Sequence, residues 1–376
     1  MSTSNTSVET DPTRQPQASE EQTRVVFCWT GISGYLSASW RALAQRSEID
    51  LHVVTFGGLA ATDFDQELMG DLSCRLLDET ERENTALIHD EVARQSPDVV
   101  VIAGWFHRPY RQLAYAHRLQ DTRFVMGMDT PWRGTWKQRL APWLLWRYMR
   151  QMDHVVVTGE RCWQYARRLG VPAKKITRGV YGVDYDTLSG ISRDGADPKW
   201  PRRFLFVGRF EEEKGVDLLV EAYRRYRERV EDPWPLTCCG KGPLGDLLDR
   251  TPGIENRGFV QPGDMMEEWA RSGVFVLPSR FDPWPLALVE AAASGLPVIC
   301  SDACGSAVEI VRNGYNGLRV PDEDPAALAR AFGHLHHRHD ELPEWGRRAR
   351  RFAAPYSAER WAERWTRLLR GTREMR

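Results

Sequence analysis

A chain of 376 residues is long enough for two domains of ordinary size, each able to bury its own core. Hydrophobic residues at 42% and charged residues at 27% are the composition of a globular protein. With 51 basic against 52 acidic side chains the net charge is -1, which argues against a nucleic-acid binder held by bulk charge.

The stretch 1–23 is rich in Ser, Thr, Gln and Glu and has no apolar run. It reads as a disordered tail, neither signal peptide nor anchor. Short apolar runs then alternate with amphipathic stretches. Residues 25–29, 51–55, 99–103, 124–128 and 155–158 read as buried strands, and 35–45, 85–95 and 161–169 as helices. Strand–helix alternation implies a parallel sheet covered on both faces. Residues 136–150 carry four basic and no acidic side chains, together with Trp136, Trp143 and Trp146. Two readings stand: a covering helix broken at Pro142, or a segment lying on an anionic membrane surface.

Residues 187–201 are rich in Gly, Ser, Asp and Pro and read as a linker. The alternation then restarts, with strands at 204–207, 236–239, 274–277, 298–301 and 318–320 and helices at 218–227, 265–271, 286–294 and 326–336. In the last helix Trp361, Trp365, Leu368 and Leu369 recur at helical spacing behind Ser357, a plausible N-cap. The expected organisation is a tail (1–23), a first domain (24–186), a linker (187–201), a second domain (202–355) and a closing helix (356–376) packed back on the first domain. No run approaches the roughly 20 apolar residues that cross a bilayer. Seven scattered cysteines, Cys238 and Cys239 adjacent in a strand, point to reduced thiols in a cytoplasm.

Four segments carry chemistry. The strand at 204–207 ends in Gly208; Arg209 and Lys214 follow on its loop, and Gly215 opens a helix. A guanidinium fork and an ammonium at a strand's carboxyl end suit a diphosphate. The alternative is a solvated loop in which Glu211, Glu212 and Glu213 pair with these cations. Farther on, Glu290 sits in the middle of a helix that is apolar nearly all round. A buried carboxylate needs a partner, either an arginine such as Arg280 or a pair of ligand hydroxyls, as on a ribose. Gly305 and Ser306 lie between a strand and a short helix, where backbone N–H groups suit phosphate or sugar oxygens. Gly240 to Pro243 make another loop of close approach.

In the first half, Gly31 and Gly34 follow the first strand without the third glycine and acidic partner of a dinucleotide fingerprint. Asp129 closes the strand at 124–128. Its carboxylate either acts on a substrate hydroxyl or caps the next turn. Asp-x-Asp occurs at Asp63/Asp65, Asp184/Asp186 and Asp322/Asp324, three unrelated loops, and reads as chance. The histidines at 334, 336, 337 and 339 read as a solvated surface, and Cys300 and Cys304 lack a second ligand pair.

Together these segments resemble the retaining glycosyltransferases of the GT-B fold, specifically family 4. Val-Gly-Arg-x4-Lys-Gly from Val207, Gly-x-Gly-Pro from Gly240 and Gly-Phe-Val from Gly258 occur in the family's order. So do acid-x7-Glu from Asp282, followed by Ala-x-Ala-x-Gly-x-Pro-Val, and the run from Asn313 to Gly317. The resemblance implies an α/β fold of two Rossmann-like parallel-sheet domains facing a central cleft. It implies that Arg209 and Lys214 hold the donor diphosphate, Asp282 contacts the transferred sugar and Glu290 binds the ribose. The backbone of Gly258, Phe259 and Val260 would face the base, with Gly305 and Ser306 by the phosphates or sugar. Gly208, Trp284, Pro285, Leu286 and Gly31 complete the expected donor site, and Asp129 joins the catalytic set. Two departures stand out: Asp282 replaces the usual Glu, ahead of Pro283, Trp284 and Pro285, and Met128 stands where many members have His.

The implied substrate is a UDP- or GDP-linked sugar, with no cofactor and no metal. The implied acceptor is a saccharide or lipid-linked molecule in cell-surface polysaccharide synthesis. No nucleic acid is expected, and the place is the cytoplasm, with peripheral contact at the inner face of the membrane. Rival readings are a nucleotide-sugar epimerase or hydrolase, and a non-catalytic nucleotide-sugar binder.

Overall fold

The computed structural model describes residues 22–57, 69–193 and 200–371. The tail up to residue 21, the Asp63/Asp65 pair and residues 194–199 of the expected linker lie outside the described residues.

Runs of Val and Ile without polar alternation make strands buried on both faces, as a parallel sheet requires. Among the described residues seven form the first lobe: β1 (Thr23–Trp29), β2 (Ile49–Phe56), β3 (Cys74–Leu77), β4 (Val99–Ala103), β5 (Arg123–Met128), β6 (His154–Val157) and β7 (Ile176–Arg178). All pair in parallel, in the order β3-β2-β1-β4-β5-β6-β7. The helices α1 (Gly34–Ala44), α2 (Thr85–Arg94), α3 (Arg108–Leu113), α4 (Trp136–Met149) and α5 (Glu160–Arg168) connect them. After β7 the chain crosses to the second lobe through α6 (Tyr185–Ser189).

The second sheet has the order β10-β9-β8-β11-β12-β13, again all parallel. Its strands are β8 (Phe204–Val207), β9 (Leu236–Cys239), β10 (Ile254–Gly258), β11 (Val274–Leu277), β12 (Val298–Ser301) and β13 (Gly317–Val320). Its helices are α7 (Val216–Arg227), α8 (Gly245–Asp249), α9 (Met265–Ala270), α10 (Leu286–Ala293), α11 (Ala307–Ile310), α12 (Pro325–His337) and α13 (Leu342–Ala353). In each sheet the strand order reverses beside the first strand, between β1 and β4 and between β8 and β11. Ligands of such sheets sit beyond the carboxyl ends of the strands at that switch.

The closing helix α14 (Ala358–Gly371) packs on the first lobe. Ser357 caps it, accepting the Arg360 N–H at 3.2 Å. Trp361 and Trp365 lie on Phe27 of β1, and their indole N–H groups donate to Val180 O at 2.7 Å and Gly179 O at 3.1 Å. Each ring thus buries its apolar body while its polar edge is satisfied. The expected linker does not start as a free segment: Val183, Leu188 and Ile191 are buried in the second lobe's core, so that lobe begins before Thr187.

Candidate active site

The second lobe's loops are drawn close by glycine. Gly240 has φ +153°, and a Cβ there would stand 1.9 Å from Gly208 O. Gly215 has φ +70°, and a Cβ there would stand 2.1 Å from Pro278 O. The loops after β8, β9 and β11 are therefore pressed together at the carboxyl edge of the sheet. Beside them a cavity of about 330 Å³ opens between Gly208, Arg209, Lys241, Phe259, Val260 and Met265. Lys241 stands over the Phe259 ring at 5.4 Å.

The two cations take different partners. Arg209 is half-exposed and pairs with Glu211 at 2.7 Å and Glu213 at 3.4 Å, the arrangement of a solvated loop. Such exposed pairs are weak, about 0–1 kcal/mol, and a diphosphate can displace them. Lys214 instead reaches across to the next loop and donates to Asp282 Oδ2 at 2.6 Å, with both side chains largely buried. Burial raises the Asp282 carboxyl above its ordinary value, against the pull of Lys214. The phosphate cation and the sugar-contacting acid of the sequence reading are thus directly joined.

Glu290 lies in α10, eight residues along the chain from Asp282. The arginine offered as its partner is already engaged: Arg280 grips Asp217 through two bonds of 2.7 Å. Among the described residues the Glu290 carboxylate has no hydrogen-bond donor and no cation. Burial, aided by the negative charge of Asp184, pushes it up to about 7. A carboxylate held this way is ready for hydroxyl donors from a ligand.

Across the cleft, Asp129 is exposed at the end of β5 and accepts the Tyr181 hydroxyl at 2.9 Å rather than capping a turn. Tyr181 lies edge-on to Tyr35 and Trp29. Tyr35 feels the charges of Glu290, Asp129 and Asp282 together, which places it between the lobes, and burial pushes it up to about 12. The carbonyl of Gly31 accepts the Thr55 hydroxyl at 3.1 Å, and Gly34 next to that loop approaches Pro262 of the second lobe.

Other expected residues make contacts within the protein. The Gly305 N–H donates to Asp282 O at 2.8 Å and the Ser306 hydroxyl to Pro285 O at 3.1 Å, so both groups are engaged within the protein. The helix they lead into, α11, has four residues and a correspondingly small dipole. Trp284 is buried where the lobes meet, against Gly159 and 5.8 Å from the Tyr356 ring. Leu286 opens α10. Asp184 and Asp324 cap α6 and α12, accepting Thr187 N and Ala327 N. Among the described residues no three His, Cys, Asp or Glu side chains gather as a metal site. His336 bonds the Tyr226 hydroxyl at 2.8 Å and lies on Trp234.

Sequence reasoning passed over Tyr35, Tyr181 and Glu309. Glu309 joins the lobes by accepting the Glu160 N–H at 2.8 Å, capping α5 from the other lobe. Beside it Arg161 donates to Asp302 O at 2.7 Å. Only the position of Glu309, in a short helix just after the Gly305 turn, hinted at a role.

Two family models match this chain. One, described as Glycosyl transferases group 1, covers residues 201–338; the other, a Glycosyl transferase 4-like domain, covers residues 30–179. An exopolysaccharide phosphotransferase of Streptomyces coelicolor is 30% identical over 230 residues, 58% of this chain and 24% of that protein. The chain spans under half the length of the curated relatives it matches. Among solved structures, a glycosyltransferase of Rickettsia africae superposes with TM-score 0.74 at 15% identity, covering 94% of this chain and 100% of that one. HepE of Anabaena, solved in complex with UDP, gives 0.71 at 14% identity, covering 93% and 100%. These likenesses establish the fold as GT-B: two parallel-sheet α/β lobes.

Proposed function

This chain belongs to the group 1 glycosyltransferase family, and we propose that it is a retaining hexosyltransferase that moves a sugar from a nucleotide-sugar donor to an acceptor hydroxyl. The observation that carries the reading is the meeting of Lys214 with Asp282 beside the Arg209 cavity, while Glu290 is left without a protein partner. In this reading the base lies along Gly258–Val260 in the glycine-lined cavity and the ribose hydroxyls donate to Glu290. The UDP held by the Anabaena neighbour supports a uridine donor; a guanosine donor is the alternative the assay separates.

As the sugar–phosphate bond breaks, negative charge grows on the departing diphosphate. Arg209 and Lys214 meet it in a partly dry cleft, where fixed positive charge acts strongly. Lys214 leaves Asp282 for the phosphate, and the freed carboxylate takes the sugar hydroxyls. The acceptor oxygen attacks the anomeric carbon from the face the diphosphate leaves, its proton passes to a departing phosphate oxygen, and configuration is retained. Asp129, with Tyr181, borders the acceptor side. No metal enters this account, since two cations offset the charge.

The acceptor is a saccharide or a lipid-linked saccharide, and the place of action is the inner face of a membrane. Seven unpaired cysteine thiols support a reducing compartment. Incubation with UDP- and GDP-sugars, with acceptor, tests the reading by nucleotide release and product mass. Binding of a nucleotide sugar without turnover supports a non-catalytic binder instead, and an isomerised donor sugar supports an epimerase.

A further inference from the structure

The helix α4 buries one face and shows the other. Ala141, Leu145, Tyr148 and Met149 pack into the first lobe, and the Tyr148 hydroxyl reaches Gly104 O at 2.9 Å. Pro142 does not break the helix. On the open side Trp136, Leu140, Trp143 and Leu144 recur at i, i+4, i+7 and i+8, so they share one stripe. Their exposures are 68%, 49%, 81% and 77%. Trp146 borders the stripe, and Phe106, two residues past Gly104, is also exposed. A helix that only covers a sheet carries polar groups on that side; a row of open tryptophans and leucines is a surface made to be covered.

The surrounding charge has one sign. Between Thr130 and Met152 the chain has Arg133, Lys137, Arg139, Arg147 and Arg150 and no acidic residue. Behind the stripe, between α4 and the turn that follows α5, lies a pocket of about 550 Å³. Pro142, Trp146 and Met149 form apolar wall, and Arg150, Arg168 and Lys175 supply positive charge. None of these three forms an ion pair among the described residues. Arg168 lies over the Trp132 ring at 4.8 Å, and Lys175 donates to Met152 O at 3.3 Å. Unneutralised cations around an apolar pocket, next to exposed indoles, match the phosphate and upper acyl region of a phospholipid leaflet. No described helix is long and apolar enough to cross a membrane, so the contact is one of surface.

We propose that this face docks on an anionic bilayer, with the α4 stripe entering the headgroup region and the Arg150–Arg168–Lys175 pocket seating a phospholipid phosphate. The proposal rests on the reading of transfer to a lipid-linked acceptor and adds where that acceptor arrives. The loop from Asp129 leads directly into α4, and on that loop Arg133 stacks over Phe281, the neighbour of Asp282, at 3.9 Å. The docking face therefore starts at the mouth of the cleft.

The test is co-sedimentation of the full chain with vesicles of phosphatidylglycerol in phosphatidylcholine, against phosphatidylcholine alone, at low salt. The protein should sediment with the anionic vesicles and be released by added salt. The triple variant Arg150→Gln, Arg168→Gln, Lys175→Gln should lose about 100-fold in vesicle affinity, taking about 5-fold for each cation. Trp143→Ser with Leu144→Ser, both exposed and so harmless to folding, should lose binding at unchanged charge. A control with the same charge change elsewhere, Arg250→Gln, Arg271→Gln, Arg367→Gln, should retain it. Equal loss in that control, or no binding of the unaltered protein to anionic vesicles, overturns the proposal. Nucleotide release in solution is read alongside. Release without vesicle binding sinks the docking face alone; vesicle binding without release sinks the transferase reading alone.

Discussion

The two lobes repeat one parallel-sheet plan and equip the same edge of it in opposite ways. In the second lobe the strand ends carry charge on loops pressed together by glycine: Arg209, Lys214 and Asp282, with Glu290 just behind. In the first lobe the corresponding edge carries rings, Trp29, Tyr35 and Tyr181, around the exposed Asp129. On the proposed reading, the lobe that must absorb a leaving diphosphate holds fixed charge. The other lobe sets a largely buried, uncharged ring cluster behind the single exposed carboxylate of Asp129. One topology thus supports two tasks because the work lies in loops, which the sheet only positions.

Changes to each lobe sharpen this contrast. The largest effect is expected on stability. Trp361→Ala or Trp365→Ala removes a buried ring that ties α14 to β1 and should cost about 3–5 kcal/mol, read by denaturant unfolding. A loss confined to the second lobe's unfolding transition would contradict the placement of α14. Next come Arg209→Ala and Lys214→Ala, each expected to lower turnover at least about 100-fold with folding retained. Near-normal rates in both would remove the phosphate clamp from the account.

Glu290 gives a pH test. Its pKa of about 7 lies above that of a free glutamate, so the folded protein holds a proton that the unfolded chain has already released. Stability of the unliganded protein should therefore fall as pH rises from the ordinary glutamate value to about 7, and Glu290→Gln should flatten that slope. Nucleotide affinity should move the other way, strengthening as the carboxylate ionises, and Glu290→Gln should weaken it by about 10-fold or more. Denaturant unfolding of the unliganded protein across that range checks the first sign, and calorimetry of UDP binding checks the second. The smallest effect belongs to the first lobe: Asp129→Asn should lower turnover by about 5- to 10-fold and leave nucleotide affinity unchanged. A loss of nucleotide binding there would move Asp129 to the donor side.

What was legible in the sequence follows burial. β4, β8, β9, β11 and β12 are central, mostly apolar and readable to the residue. The strands that escaped, β3, β7 and β10, are all sheet edges. Cys74–Leu77, Ile176–Arg178 and Ile254–Gly258 mix Arg, Thr, Glu and Asn with apolar residues, because one side of an edge strand meets water. The second lobe's candidate residues stand out in the sequence because glycine, charge and spacing occur there in a fixed order. Those of the first lobe do not: Tyr35 and Tyr181 are far apart in the chain, and only the fold brings them to Asp129. That the Ser306 hydroxyl is spent on the preceding loop could not be read, because a small residue before a helix looks the same either way.

The central claim is that the second lobe's own cations carry the leaving diphosphate. Its most direct test is turnover of UDP- and GDP-sugars by dialysed protein in excess EDTA, with the anomeric configuration of the product read by NMR. The account predicts undiminished nucleotide release and a product that keeps the donor's configuration. Activity that disappears in EDTA and returns with Mg²⁺ or Mn²⁺ would contradict it and make a bound metal, rather than Arg209 and Lys214, the carrier of that charge.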